Sequence, residues 1–256
     1  MLGLINGRAI IGLLRRRVAV GLALLALSAA RPAVAGPPFV SDDPEPTDTG
    51  HWEIYNYAAG THGPGETAGE AGLDINYGGA RDLQLTVTAP INFQSGTQVG
   101  LGDIELAAKY RFLHQASGSW LPDLAVFPRV FLPTASRQFG PQRLNLFLPV
   151  WGEKDFGKWS VFGGGGYDLN PGLDNRNFWL SGVVLTRNMT DRLTLGGEVY
   201  HQTPDNRDAR TFTGLNLGGL YKLTDHWALL ASGGPGVQNA RQQGLYDFYV
   251  SLEATY

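Results

Sequence analysis

The chain has 256 residues, with 20 Lys and Arg against 23 Asp and Glu, no cysteine and 35 glycines. A glycine content well above the usual ~7% excludes a fold of long helices, since each interior glycine costs a helix roughly 1 kcal/mol relative to alanine. The absence of cysteine leaves burial or lipid to hold the fold, and a net charge of −3 excludes the clustered basic surface that nucleic acid requires.

The first 35 residues read as a signal peptide. Arg8 and the triplet Arg15, Arg16, Arg17 form a basic region, and Val18 to Ala30 is an apolar run of thirteen residues. That run is too short for a spanning helix, which needs ~18–20. Ala33-Val34-Ala35 then supplies a small-x-small cleavage pattern before Gly36. Without these residues and their five arginines, 15 basic side chains face 23 acidic ones, a net of −8 over 221 residues. Residues 36–49 (GPPFVSDDPEPTDT) are acidic and Pro-rich, a lead-in that either plugs the domain beyond it or hangs in the periplasm. Asp42, Asp43 and Glu45 are interrupted by Pro44 and Pro46 and lack the rigid loop of a calcium site, so no metal is expected.

From Gly50 onward, segments of about ten residues alternate between apolar and polar side chains, the period of a β-strand. Leu83, Leu85, Val87, Ala89 and Ile91 oppose Gln84, Thr86, Thr88 and Asn92. Ile104, Leu106, Ala108, Tyr110 and Phe112 oppose Asp103, Glu105, Lys109 and Arg111. The last segment alternates without a break from Tyr246 to Tyr256. Strands are predicted near 51–59, 68–77, 83–93, 103–112, 123–132, 144–153, 158–168, 177–187, 193–202, 211–222, 227–234 and 245–256. That is twelve, with ten as the alternative count. Tight connections (78–82, 155–157, 188–192, 224–226) alternate with longer ones (60–67, 94–102, 134–143, 169–176, 203–210, 235–244), and 113–121 is long on the tight side.

A soluble sheet with one wet face also alternates. Segments of ten or eleven residues match the length a tilted strand needs to cross a membrane, whereas soluble strands average ~5–6. Aromatics near segment ends (Trp52, Tyr77, Tyr110, Trp159, Trp227, Tyr256) suit interfacial girdles. The expected fold is therefore all-β, an antiparallel up-and-down transmembrane barrel of about twelve strands, with both termini on the periplasmic side of a Gram-negative outer membrane. Twelve strands about 4.8 Å apart and tilted about 40° give a diameter of roughly 24 Å, with a gap of about 10 Å between inward side chains. The expected partners are outer-membrane lipids, and the barrel-assembly machinery through the strand Tyr246 to Tyr256.

Charges on a lipid-facing wall cost up to ~2–4 kcal/mol for Arg or Lys at mid-membrane, so those on strands are expected to line the lumen. The acids are Asp74, Glu105, Glu153, Asp168, Glu198, Asp247 and Glu253. The bases are Lys109, Arg111, Arg129, Arg187 and Lys222. Seven acids against five bases suit internal pairing or a weakly selective pore better than a strong ion filter.

No catalytic or cofactor-binding residues are expected. Gly163 to Gly166 lacks the Lys-Ser/Thr and the helix of a phosphate loop. These glycines rather leave space for something crossing the lumen, either the lead-in or a large side chain such as Trp151, with Phe162 pointing inward. His51, His62, His114, His201 and His226 show no metal-ligand spacing, and no G-x-S-x-G occurs.

The segments GPPFVSDDPEPTDTGHWE, GLGDIELAAKYRFL, PVWGEKDFGKWSVFGGGGYDLNPG and LTLGGEVYHQTPD resemble, in this order over residues 36–256, the MetA-pathway of phenol degradation family. The resemblance implies an outer-membrane barrel of transporter type, linked in some members to uptake of hydrophobic or aromatic compounds. The expected function is passive passage of small molecules. A closed structural or binding barrel, and an outer-membrane lipid hydrolase, are the alternatives.

Overall fold

The computed structural model describes residues 38–256 except 96, 97, 117 and 141; the signal peptide and the first two residues of the lead-in lie outside the described residues. The alternation becomes a sheet with a polar inside and an apolar outside. In β3 (Leu83–Gln94) the residues Gln84, Thr86 and Thr88 are buried, while Leu85, Val87 and Ile91 are 43–49% exposed on the other face. A soluble protein would bury the second set and wet the first.

Chain order is kept almost throughout. β1 (Trp52–Gly63), β2 (Glu66–Ala80) and β3 form a meander, and β4 (Gln98–Leu101) folds back briefly on the end of β3. β5 (Ile104–Leu113) takes the rest of that edge. The next wall strand is broken into β6 (Asp123–Val126) and β7 (Arg129–Leu132) at Phe127-Pro128. Proline has no N–H to give a ladder, yet the Ala108 amide still reaches the Pro128 carbonyl at 3.3 Å. Beyond them come β8 (Asn145–Phe156), β9 (Trp159–Leu169), β10 (Phe178–Asn188), β11 (Leu193–Gln202), β12 (Phe212–Lys222), β13 (Trp227–Gln238) and β14 (Tyr246–Thr255). A single helical turn, α1 (Ala240–Gln243), sits in the last long connection. β14 pairs with β1 from Glu53↔Thr255 to His62↔Tyr246. The ring is closed, antiparallel and twelve strands round, with β6 and β7 sharing one place and β4 an appendage.

The connections differ from expectation at three places, one of them 235–244, where β13 continues to Gln238 and α1 follows. The loop expected over 60–67 is a paired hairpin turning at Pro64-Gly65, where proline presets one φ and Gly65 takes φ 83°. Ala58, Ala59, Gly60, Ala68 and Gly69 surround it, and side chains that small carry too little contrast to show the strand period. The region 94–102 contains β4 instead of loop alone.

The remaining tight turns are 81–82, 157–158, 189–192 and 223–226, all at the end that holds Trp52 and Thr255. Short turns mark the periplasmic rim of such barrels. Aromatic rings stand at both rims of the outer face: Trp52 lies 4.5 Å from Tyr77 and Trp227 is 6.4 Å from Tyr256 at the tight-turn end, while Trp179 lies 5.0 Å from Tyr167 at the other. Between them Leu106, Leu148, Val150, Val183, Leu195 and Val250 form an exposed apolar band.

Candidate functional site

The lumen is crossed by the chain's own lead-in. The Val40 and Ser41 amides donate to the Glu198 carboxylate of β11 at 3.0 and 2.6 Å. Phe39 packs 6.3 Å from Phe162 of β9, and Ser232 of β13 donates to the Pro38 carbonyl. Lys109 of β5 reaches the Asp42 carboxylate at 3.1 Å and the Glu45 carbonyl at 3.3 Å. Further on, the Thr47 amide donates to Gln84 Oε1 of β3 at 2.8 Å. Partners on five strands around the ring place residues 38–47 inside it, with Ser41, Asp43 and Thr47 only 1–3% exposed. The wall is shaped to receive them: a Cβ at Gly182 of β10 would lie 2.2 Å from Ser41 Oγ. Of the acids expected to lack a calcium loop, Asp42 and Asp43 face Lys109 and Glu45 faces Arg111. Burial pushes the Asp43 carboxyl up to about 7, against the pull of Lys109.

Eleven of the twelve charged residues expected on the inner face are found there. On β5 and β7, Arg129 grips Glu105 with two bonds of 2.6 Å and lies over the rings of Phe127 and Phe131. Lys109 sits next to them, 5.0 Å from the Phe127 ring. Arg111 is nearer the tight turns and bridges to Asp82 at 3.2 Å. On the opposite wall Glu198 also accepts from Asn216 at 3.0 Å. Asp247 there accepts from the Tyr200 hydroxyl at 2.6 Å and from Asn216 at 3.3 Å. The rest have short-range partners: Asp74 accepts from Asn76, Asp168 from Asn145, Glu153 from Ser160 and Glu253 from Thr255. Lys222 stands half-buried at the tight-turn end.

Arg187 is the correction. In β10 the buried positions are Val184 and Thr186, while Val183 and Leu185 are exposed, so Arg187 points outward. It lies 5.0 Å over the ring of Trp159, its cross-strand neighbour at the aromatic rim. Near the interface an outward Arg costs only ~0–1 kcal/mol, and its long side chain carries the charge to the polar headgroups.

Between the lead-in and the long loops lies a cavity of ≈ 700 Å³, whose wall includes Tyr57, Glu70, Asp74, Arg129, Tyr200 and Asp247. Glu70 and Tyr57 are not among the expected residues. Glu70 shares its face of β2 with Asp74, and Tyr57 its face of β1 with the buried Tyr55, so the same alternation identifies both. Tyr57 donates to Glu70 at 2.9 Å. The place of Phe39, Ser41 and Asp43 has no comparable signal in the sequence.

The glycine run of β9 faces Trp151, which is 2% exposed. Gly164 holds φ 152°, and a Cβ there would meet the Val150 carbonyl at 2.1 Å and the Trp151 ring at 3.2 Å. Among the described residues no three His, Asp or Glu side chains converge as a metal site requires. The histidines bond threonine hydroxyls (His62, His201), backbone carbonyls (His51, His226) or Asp82 (His114).

Solved structures with this architecture include an outer membrane channel from Pseudomonas putida F1, 14% identical, covering 87% of this chain and 100% of that one at a TM-score of 0.66. The NanC porin is 13% identical over 78% of this chain and 98% of its own, at a TM-score of 0.56. At these identities the likeness is one of fold. No curated protein matches the chain. Residues 47–253 match the sequence profile of the MetA-pathway of phenol degradation family, and the chain belongs to that family.

Proposed function

We propose that this protein is a passive outer-membrane channel for small molecules, constricted midway by its own N-terminal segment. The observation that carries this reading is a closed barrel with a charged, hydrogen-bonded inner face and a ≈ 700 Å³ cavity that ends on the lead-in. A barrel built only as a scaffold gains nothing from lining its interior with carboxylates and cations that apolar packing would replace at no loss of stability. Solved structures of like fold include a channel and a porin, which supports the same reading over an enzyme. Aromatic side chains interleaved with the charges (Tyr57, Phe127, Tyr200) suit small solutes with both a ring and a polar group, and the family's tie to phenol degradation agrees with that class. The chain would reach the membrane after cleavage near Ala35 and insert by way of its C-terminal strand.

The test is single-channel conductance of the refolded mature protein and of the same protein lacking residues 36–49. The truncated form is expected to stay folded, seen as a heat-modifiable band, and to conduct several-fold more than the full-length form. Absence of current from both forms would overturn the channel.

A further inference from the structure

The charges that line the cavity on the loop side of the lead-in are not balanced. Asp42, Glu70, Asp74, Glu105, Asp205 and Asp247 are in its wall, and Arg129 is the one base there among the described residues. Arg129 is bound to Glu105, and Asp42 is met by Lys109 from below. Four carboxyl groups stand over. All four accept from neutral donors: Glu70 from the Tyr57 hydroxyl, Asp74 from Asn76, Asp205 from Gln202 and Asn206, and Asp247 from Tyr200 and Asn216. Such donors fix the carboxylates in place without cancelling their charge.

The polar atoms that remain are also suited to receive a hydrogen-bond donor. Ser41, Thr88 and Asn216 are in the same wall, each at most 7% exposed. Their Ser41 Oγ, Thr88 Oγ1 and Asn216 Oδ1 atoms have no hydrogen-bond partner among the described residues. Thr88 and Asn216 point inward from β3 and β12. A buried polar atom without a partner is costly, and one in the wall of a cavity gains from a ligand that supplies the missing bond. Asn216 Oδ1 is an acceptor only. The wall also carries the rings of Tyr57, Tyr200, Phe212 and Tyr249, and ring faces attract cations. The volume is within the ~300–1,000 Å³ of small-molecule sites.

We propose that this cavity is a binding vestibule for small organic cations, protonated amines with an aromatic or apolar body. The ammonium group would sit against Glu70 or Asp247, with its body against the tyrosine rings. Neutral alcohols of the same shape lose the charge attraction, and carboxylates meet like charge. The proposal deepens the channel reading by giving its cargo a class, but it is tested on binding and not on flux.

The experiment is isothermal titration calorimetry of the full-length mature protein in detergent, at pH 7.5 and low salt. The probes are phenethylammonium, 2-phenylethanol and 3-phenylpropionate, which share a ring and differ in charge. The cation is expected to bind at least about 10-fold more tightly than the alcohol, and the carboxylate most weakly. The double variant Glu70→Gln, Asp247→Asn should lose that preference while its affinity for the alcohol changes less than about twofold. An alcohol or carboxylate that binds as tightly as the cation overturns the proposal, and this comparison uses the unaltered protein, so it holds even where the variant does not fold. Cation preference without conductance would sink the channel and leave the vestibule. Conductance without cation preference would do the reverse.

Discussion

Glu105 is 4% exposed at its side chain and held by Arg129 alone among the cations of the ring. Removing one member of a buried pair leaves a charge with neither water nor a counter-ion. Arg129→Met is therefore expected to destabilise the barrel by up to about 3–5 kcal/mol, measured by urea unfolding in detergent. Glu105→Gln combined with Arg129→Met should recover much of that loss, because the stranded charge is gone. Asp43 makes a different prediction. Its carboxyl is buried among Lys109, Asp42, Glu45 and Glu153, and burial raises it from 3.8 to about 7 when the lead-in is seated. A group that binds its proton more tightly in the seated state stabilises that state fully below its free value. The contribution is lost as pH rises through the seated value. Openings of the full-length channel should thus become more frequent between about pH 4 and 7, and Asp43→Asn should remove that step. An Asp43→Asn channel with an unchanged pH profile would show that the residue takes no part.

Strands show how far alternation reaches. β3, β5 and β14 have contrasting faces, and their registers agree with what the period of two implies. β10 does not, because Val183, Val184 and Leu185 are apolar on both faces. Nothing in the run FWLSGVVLTRN by itself marks which of them is inside, so Arg187 is placed only by the cost of a lipid-facing charge, and that puts it on the wrong side. The β1–β2 hairpin reads too short because alanine and glycine on both faces give no contrast. β6 and β7 read as one strand, and a break at Pro128 shows only when the partner ladders are known. The glycines of β9 are the firmest case, for Gly164 has both a φ near 152° and a Val150 carbonyl where a Cβ would go. Gly164→Val combines backbone strain of about 1–3 kcal/mol with a clash against main chain that cannot yield. It is expected to prevent formation of the heat-modifiable barrel.

At the scale of the whole molecule, the ring closes through β1 and β14 without any residue before Trp52, which is why the truncated form is expected to fold. The inner face is then a surface in its own right. The lead-in occupies its middle, the bases Lys109, Arg111 and Arg129 gather on β5 and β7, and carboxylates dominate the wall toward the long loops. Near balance in the total count hides this separation along and around the pore.

The sequence by itself determined the class of fold, the approximate strands, the tight and long ends and nearly all of the inward charges. Each depends on residues within about ten positions of one another, where the strand period and turn chemistry act. Only the tertiary structure decided where the lead-in rests, which charges pair and which stand over. Ser41 and Glu198, 157 residues apart, meet because the ring closes, and closure brings together walls that no local pattern relates. The cavity and its excess of carboxylates come from the same closure, which sets distant strands face to face across a lumen only a few side chains wide.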